Sequence, residues 1–292
     1  MAEMTDASPD QPEPPEVPPV VVPPGQREAR FSDAVILLLV FLAAQVVLGL
    51  AAGLVTGATN RRVDNLILAG IEAVSLAALI PVLRGRLGHR LLDFARYAPV
   101  RPGSWCAIVL CCAGLILGLR PVEGLVLRVL PITQFWRTVF GQISGTNDFA
   151  RGIILAALAA PIVEEVIFRG VLLRGFAAHY GKARGLLYSS LLFGLAHANP
   201  WQFVPALALG FFLGALYLRT GTIVPTIVSH AVYNGSLMVL SQFARTRAIV
   251  DTDFPTGMTP AVLVTLTVTG VVVFCLGFWL LLRTSRSAPA VT

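Results

Sequence analysis

Two adjacent carboxylates and an arginine lie within an apolar stretch that runs from about residue 152 to residue 173. They are Glu164, Glu165 and Arg169. A charge inside a membrane costs roughly 2.5–3.5 kcal/mol even on lenient insertion scales, so each charge needs a compensating partner. Because Glu165 and Arg169 are four residues apart, they share a helix face and can form a structural ion pair. Glu164 is rotated by about 100° around the helix, which leaves it available for chemistry.

Three further polar side chains lie in later apolar segments. His197 lies near the end of one of these segments. His230 and Asn234 lie two segments further along the chain, and they share a helix face because they are four residues apart. Depth in the membrane can be estimated at about 1.5 Å per residue from the helix ends, and on that estimate all three lie near the level of Glu164. The sequence therefore predicts that one carboxylate, two imidazoles and one amide meet in a single site.

Such a site could hydrolyse a peptide bond. A carboxylate in a poorly hydrated site can act as a general base, so Glu164 could deprotonate a water molecule that a histidine holds. His230 and Asn234 could donate hydrogen bonds to the oxyanion that forms when a carbonyl is attacked. Alternatively, Glu164, His197 and His230 could hold a divalent metal such as zinc with an open water position. The chain contains neither His-Glu-x-x-His nor Gly-x-Ser-x-Gly, which argues against a thermolysin-like zinc helix and a serine nucleophile.

Each polar group also has a purely structural interpretation. A histidine in a membrane helix can simply bond to a neighbouring carbonyl, and Asn234 could act only as a hydrogen-bonding link between helices. The Glu165–Arg169 pair is expected to be structural, because a paired carboxylate is a poor base. Glu72 and Gln45 are predicted to be isolated and to face the interior of the helix bundle.

The composition is that of a polytopic membrane protein. Of the 292 residues, 55% are hydrophobic and only 13% are charged, and the mean hydropathy is +0.76, whereas soluble domains carry about 25% charged residues. The basic residues behind the net charge of +6 lie in short inter-helical segments, so we expect a lipid environment and no nucleic-acid partner. Eight apolar segments predict an all-α polytopic membrane protein of about eight transmembrane helices around an intramembrane catalytic core. They are approximately residues 34–55, 66–83, 105–119, 152–173, 186–199, 201–218, 222–243 and 261–282.

The distribution of basic and proline residues predicts the organisation of the chain. Basic residues are concentrated in the segments on the same side as the N-terminus, which predicts that both termini are cytoplasmic. An arginine-biased chain with a loose tail suggests a bacterial plasma membrane. The histidines His89 and His179 fall in basic loops and are expected to be exposed. The predicted regions are a disordered, acidic, proline-rich tail (1–30), N-terminal transmembrane helices with an interfacial segment (31–149), the catalytic core (150–243), and the last transmembrane helix with a C-terminal tail (244–292).

The polar groups resemble the signature of the CAAX-protease and bacteriocin-processing family of intramembrane proteases, which includes the type II CAAX prenyl endopeptidases. That signature is Glu-Glu-x-x-x-Arg, then Phe-x-x-x-His, then His-x-x-x-Asn. In this chain the three motifs occur in that order and cover about residues 150–240. They are Glu164-Glu165-Val166-Ile167-Phe168-Arg169, Phe193-Gly194-Leu195-Ala196-His197 and His230-Ala231-Val232-Tyr233-Asn234.

The resemblance implies a core of eight transmembrane helices with a cavity, and hydrolysis of a peptide bond in a membrane-associated peptide or protein. It implies that Glu164 and His197 activate water, and that His230 and Asn234 stabilise the oxyanion, with or without a metal. Two other functions remain open from the residues alone. One is a non-enzymatic membrane scaffold or bacteriocin self-immunity protein. The other is a proton- or metal-coupled transporter, because buried carboxylates and histidines also relay protons.

Overall fold

A computed structural model describes residues 25–58, 64–94, 100–134, 136–137, 149–246 and 259–284. Within these ranges the secondary structure is helical and contains no strand, which confirms the predicted all-α class. A short 3-10 turn, Leu91–Phe94, lies before the third helix. The helices are α1 (Phe31–Ala58), α2 (Asn65–Leu87), α3 (Pro102–Val129), α4 (149–180), α5 (Lys182–Ala196), α6 (Pro200–Thr220), α7 (Val224–Thr246) and α8 (Pro260–Thr284).

Each of the eight predicted apolar segments coincides for most of its length with one of these helices. Within the described residues, five helices are long and apolar enough to cross a membrane, namely α1, α2, α3, α6 and α8. That all eight helices cross the membrane stays a prediction. The sequence placed the end of this segment at Leu119, with an extension through Arg120 and Pro121 left open. Helix α3 continues past Pro121 to Val129, and Arg120 and Glu123 pair within it at 2.5 Å.

Large apolar side chains are exposed along the outer helices. Leu54 of α1 is 76% exposed and Val264 of α8 is 62% exposed. Soluble proteins rarely show contiguous apolar surface of this kind, whereas lipid covers it without cost. The protein is therefore an integral membrane protein whose outer helices face lipid.

Helix α4 lies at the centre of the bundle and contacts α2, α5, α6 and α7. It is not a regular α-helix. The π-helical turns Leu155–Ala159 and Val166–Leu173 flank the α-helical segment Ala160–Glu165, which carries both glutamates of the first motif. Turns of the π type often occur at functional sites, because they rotate side chains and free backbone groups.

The most extensive contact between described helices joins α3 and α8. Glycines on both helices allow their backbones to approach closely, as in many membrane helix pairs. A Cβ atom built on Gly270 would lie 2.3 Å from the backbone nitrogen of Gly118, and one on Gly114 would lie 2.4 Å from that of Phe274. Helix α8 thereby holds α3, and with it Arg120 and Glu123, in position.

Replacing Gly270 by alanine is expected to destabilise the fold by about 1–3 kcal/mol, because the added methyl group meets backbone atoms that cannot rotate away. Thermal unfolding of the purified protein in detergent measures this loss. Gly53→Ala in α1 is the matched control, since a Cβ atom there meets nothing within 4 Å. We expect that control to be neutral or slightly stabilising. Equal unfolding temperatures for the two variants would contradict the close α3–α8 approach.

The last residues of the predicted tail pack against helix ends, while residues 1–24 lie outside the described residues. The backbone nitrogen of Arg27 donates to the carbonyl of Leu87 at the end of α2, at 3.0 Å. Arg174 of α4 pairs with Glu28 at 2.6 Å. The beginning of α1 and the ends of α2 and α4 therefore lie on the same side of the bundle.

The two histidines that were expected to be exposed differ from each other. His179 is exposed, as expected, but it lies in the last turn of α4 and not in a loop. His89 is only 1% exposed, so the expectation for it was wrong. The physical reason is that its ring packs on Phe94 of the 3-10 turn, with ring centroids 4.9 Å apart.

Candidate active site

A fully buried ion network joins α4 to α7. Nη1 of Arg169 donates to Oε1 of Glu165 at 2.6 Å, and Nδ1 of His230 lies 2.9 Å from the same oxygen. All three side chains are at most 2% exposed. The sequence predicted the Glu165–Arg169 pair but not its bond to His230. Because a carboxylate that already accepts from arginine can only accept, Nδ1 of His230 carries the proton.

Glu164 remains outside this network, on a different face of α4. Its side chain is 22% exposed, and its Oε2 lies 3.8 Å from Nε2 of His230. Among the described residues this oxygen is buried and has no hydrogen-bond partner. A gap of this size between two polar atoms suits a bridging water molecule. Glu164 is therefore the uncommitted carboxylate, with an acceptor oxygen directed at the imidazole of α7.

A third carboxylate lies near Glu164 and was missed by sequence reasoning. Glu72 of α2 lies within electrostatic range of Glu164 and next to the side chain of Gln45. The expectation that Glu72 and Gln45 are isolated was wrong, because α1 packs on α2, and α2 packs directly on α4. No motif in the sequence connects these helices.

The ring of Phe193 connects side chains from α4, α5 and α7. The guanidinium carbon of Arg169 lies 4.4 Å from the centre of this ring. The imidazole centroids of His197 and His230 lie 5.2 Å and 5.7 Å from it, both edge to face. Phe193 has no exposed surface, so its position is set by packing. The ring thus fixes the arginine and both histidines relative to one another, with a cation–π contact to the arginine.

His197 ends α5, and local hydrogen bonds hold it in place. Its Nδ1 lies 2.9 Å from the carbonyl oxygen of Phe193, which is the bond that the structural interpretation expects. Asn199 caps α6 by accepting from the nitrogen of Gln202 and donating to the carbonyl of His197, both at 2.8 Å. Ala198 between them adopts a left-handed φ of 53°. Because a carbonyl only accepts, Nδ1 carries the proton and Nε2 is an acceptor.

Asn234 bonds to a backbone carbonyl that α4 leaves without its usual partner. Its Nδ2 donates to the carbonyl of Ala156 at 2.8 Å. In an α-helix that carbonyl would accept from Ala160, but Ala160 donates to Leu155 instead. In the π register the donor would be Pro161, which has no N–H. The hydrogen-bonded link between helices that the structural interpretation expects is therefore present, and it joins α7 to α4. The amide has a second N–H that can donate to a ligand.

A cavity of about 390 Å³ brings the motif residues of α5 and α7 together. His197, His230 and Asn234 all line it, and its volume is typical of ligand-binding sites. Glu164 does not line it but contacts it through His230. The structure thus groups three of the four predicted catalytic residues around one space and places Glu164 next to His230, and the catalytic roles of all four stay predictions.

The same cavity is lined by polar residues that sequence reasoning did not identify. They are Arg120 and Glu123 of α3, Gln202 of α6, and Tyr233 and Ser241 of α7. The available signal was the arginine and glutamate three residues apart in an otherwise apolar stretch. It was missed because Pro121 made Leu119 look like the end of the helix.

The described residues contain no group of three His, Cys, Asp or Glu side chains placed to hold a metal ion. Glu164 and His230 form a pair, while Nδ1 of His197 bonds to backbone. The suggested set of Glu164, His197 and His230 is therefore not assembled in this conformation, and a divalent metal such as zinc stays a prediction. Elemental analysis of active protein, repeated after Glu164→Gln, tests it.

Comparison with known proteins identifies the segment that carries the site. Residues 146–236 match the family described as Type II CAAX prenyl endopeptidase Rce1-like, which confirms the resemblance predicted from the three motifs. A protein of Bacillus subtilis (strain 168) named "Putative membrane peptidase YdiL" is 34% identical over 91 residues. These residues are 30% of this chain and 36% of that relative, so the match spans about a third of the relative's length. No solved structure matches this chain.

Proposed function

We propose that this chain, whose core matches the type II CAAX prenyl endopeptidases, is an intramembrane endopeptidase that hydrolyses a peptide bond in a membrane-associated peptide or protein. The observation that carries the proposal is the uncommitted Oε2 of Glu164, 3.8 Å from Nε2 of His230. That imidazole lines a cavity together with His197 and Asn234. A base with an uncommitted oxygen and nearby hydrogen-bonding groups are what hydrolysis of a peptide bond requires.

In the proposed reaction, Glu164 takes one proton from the attacking water. Nε2 of His197, an acceptor in the tautomer that its bond to Phe193 requires, accepts the other water hydrogen as a hydrogen bond. The water oxygen then adds to the peptide carbonyl and forms a tetrahedral oxyanion. Low water content around the site strengthens these interactions.

Two side chains of α7 stabilise the oxyanion. Donation from Nε2 of His230 to the oxyanion requires the imidazole to carry a proton on each nitrogen, while Glu165 holds Nδ1 and thereby orients the ring. Asn234 donates through the N–H that does not bond to Ala156. When the intermediate collapses, Glu164 returns its proton to the leaving amine, which completes the hydrolysis.

Reconstitution tests the proposal directly. The purified protein is placed in liposomes with a mixture of lipid-anchored peptides of varied sequence, and the products are identified by mass spectrometry. We expect cleavage by the wild type and none by a variant with Glu164, His197 and His230 all replaced by alanine. If the triple variant restores the phenotype of a deletion strain as well as the wild type does, the protein acts as a scaffold or immunity protein.

Asn234→Ala is expected to lower kcat by about 10²–10³-fold with little change in KM, because one oxyanion donor is lost. The same variant leaves the carbonyl of Ala156 without a donor, which should cost about 1–3 kcal/mol of stability. Initial-rate kinetics and thermal unfolding separate the two effects. A kcat within about 3-fold of the wild type would show that Asn234 serves only as a link between helices.

We further place the protein in a bacterial plasma membrane with both termini cytoplasmic. In support, α1 begins on the side where α2 and α4 end, and that side carries Arg27, Arg86 and Arg174. Labelling of single cysteines introduced near residues 27 and 284, in intact cells and in lysed cells, tests this orientation.

A further inference from the structure

The cavity is also lined by an ion pair that has no part in the proposed hydrolysis. Nη1 of Arg120 lies 2.5 Å from Oε2 of Glu123, and both side chains line the cavity from α3. Burying an arginine and a glutamate in a membrane helix costs several kcal/mol before they pair. A pair that only lined the cavity would therefore destabilise the fold without any return in function. The arginine side chain is 33% exposed and the glutamate 16%, so the cation is the more accessible partner.

A hydroxyl group adds to this polar region. Tyr233 lines the same cavity and is only 4% exposed, yet within the described part of the chain its buried Oη has no hydrogen-bond partner. It lies within electrostatic range of both Glu123 and Arg120. Buried hydroxyl groups are almost always paired, so this unpaired one, on a residue that lines the cavity, points to a missing ligand atom.

We propose that Arg120, Glu123 and Tyr233 form a subsite that binds a carboxylate of the peptide substrate. The carboxylate could be the C-terminal group of the peptide or an acidic side chain. The proposal rests on the proposed function for its peptide ligand. Tyr233 is the neighbour of Asn234 in sequence, so the subsite lies within one helical turn of the oxyanion residues.

The chemistry of the three groups favours an anion over a cation. Glu123 is already engaged by Arg120, whereas a guanidinium presents donors in a planar fork that can serve two carboxylates. The phenol of Tyr233 supplies a further donor. A ligand ammonium would have to displace the arginine from Glu123, while a carboxylate binds without breaking that pair.

The rest of the cavity wall is mostly apolar, with Gln202 and Ser241 as the polar exceptions, and it agrees with a short peptide segment attached to this carboxylate. Leu127, Leu209, Leu237 and Met238 are among the lining residues. A space of about 390 Å³ is near the lower end of the range for ligand pockets. The subsite therefore selects the position of cleavage by holding a negative charge a short distance from the scissile bond.

Binding to the Glu164→Gln variant tests the subsite without turnover. Four hexadecanoyl peptides are titrated in detergent micelles: Ala-Leu-Leu-Leu with a free C-terminus and as the amide, and the amides of Ala-Asp-Leu-Leu and Ala-Asn-Leu-Leu. We expect at least one acid to bind about 10-fold more tightly than its neutral partner, which corresponds to about 1.4 kcal/mol. A preference in the first pair assigns a C-terminal carboxylate, and one in the second pair assigns an acidic side chain.

Two variants connect that preference to the named residues. The double variant Arg120→Gln/Glu123→Gln removes the ion pair without leaving a lone buried charge, and it should reduce the preference to about 1-fold. Tyr233→Phe removes only an unpaired hydroxyl, so it should fold normally and reduce the preference several-fold. Arg128→Gln, on the same helix and outside the cavity lining, is the control and should retain the preference.

Equal binding of each acid and its neutral partner, binding of none of the probes, or a preference that survives the double variant would overturn the subsite. Hydrolysis of the same peptides by the wild type is scored separately by mass spectrometry. A failure of the proposed peptidase function therefore shows as intact peptides alongside selective binding, and is distinguishable from a failure of the subsite.

Discussion

Glu164→Gln is expected to lower the rate of peptide hydrolysis by about 10²–10⁴-fold, which is the usual contribution of a positioned general base. Glutamine keeps the size and polarity of the side chain but cannot take a proton from water. Because Oε2 of Glu164 has no hydrogen-bond partner within the described residues, the substitution breaks no bond that holds the helices together. We therefore expect unchanged expression, membrane insertion and unfolding temperature. Peptide cleavage in liposomes measures the expected loss of hydrolysis, and thermal unfolding in detergent measures the expected unchanged stability.

Glu28→Gln is the matched control for charge and shape. Glu28 pairs with Arg174 outside the cavity, and both side chains are at most 10% exposed, so the substitution should reduce stability and leave hydrolysis by the folded protein near the wild-type rate. Turnover by Glu164→Gln within about 10-fold of the wild type would remove Glu164 as the base. A large drop in its unfolding temperature would show instead that Glu164 is a structural residue.

Arg169→Met is expected to destabilise the protein by about 3–5 kcal/mol, because it leaves the fully buried carboxylate of Glu165 without its cation. Arg169 also donates to the carbonyl of Gly210 and stacks on Phe193, so α4, α6 and α5 lose a shared contact. Low expression and a lower unfolding temperature in detergent are the expected measurements. Glu164→Gln should therefore reduce hydrolysis without loss of stability, whereas removal of the cation that pairs with Glu165 should reduce stability.

The double variant Glu165→Gln/Arg169→Met separates lost packing from an unpaired charge. With the carboxylate neutralised, much of the stability should return, since the largest cost in Arg169→Met is the buried unpaired charge. Hydrolysis should stay low in the double variant, because glutamine holds Nδ1 of His230 less strongly than a carboxylate does. Full stability of the single Arg169→Met variant would contradict the buried ion network.

Local features of the sequence predicted much of the site. The four-residue spacing of Glu165 and Arg169 requires only a helix to bring them together, and the structure shows them 2.6 Å apart. The helical class and the location of each helix followed from apolar length alone. Errors arose where a local signal was ambiguous, as at Pro121, where a proline beside two charges suggested a helix end but the helix continues. His89 shows the same limit, because its burial depends on packing against the 3-10 turn.

The sequence by itself determined that this is a helical membrane protein and predicted different roles for its two adjacent glutamates, because charge, apolar length and helical periodicity act over a few neighbouring residues. Only the tertiary structure decided that Glu165 also holds His230, that the carbonyl of Ala156 captures Asn234, and that Arg120 and Tyr233 face the same cavity. These contacts join residues 65 or more positions apart, and their geometry depends on how the helices pack and on where α4 departs from α-helical geometry. Neither the packing of the helices nor the irregular geometry of α4 can be predicted from residue spacing within a single segment.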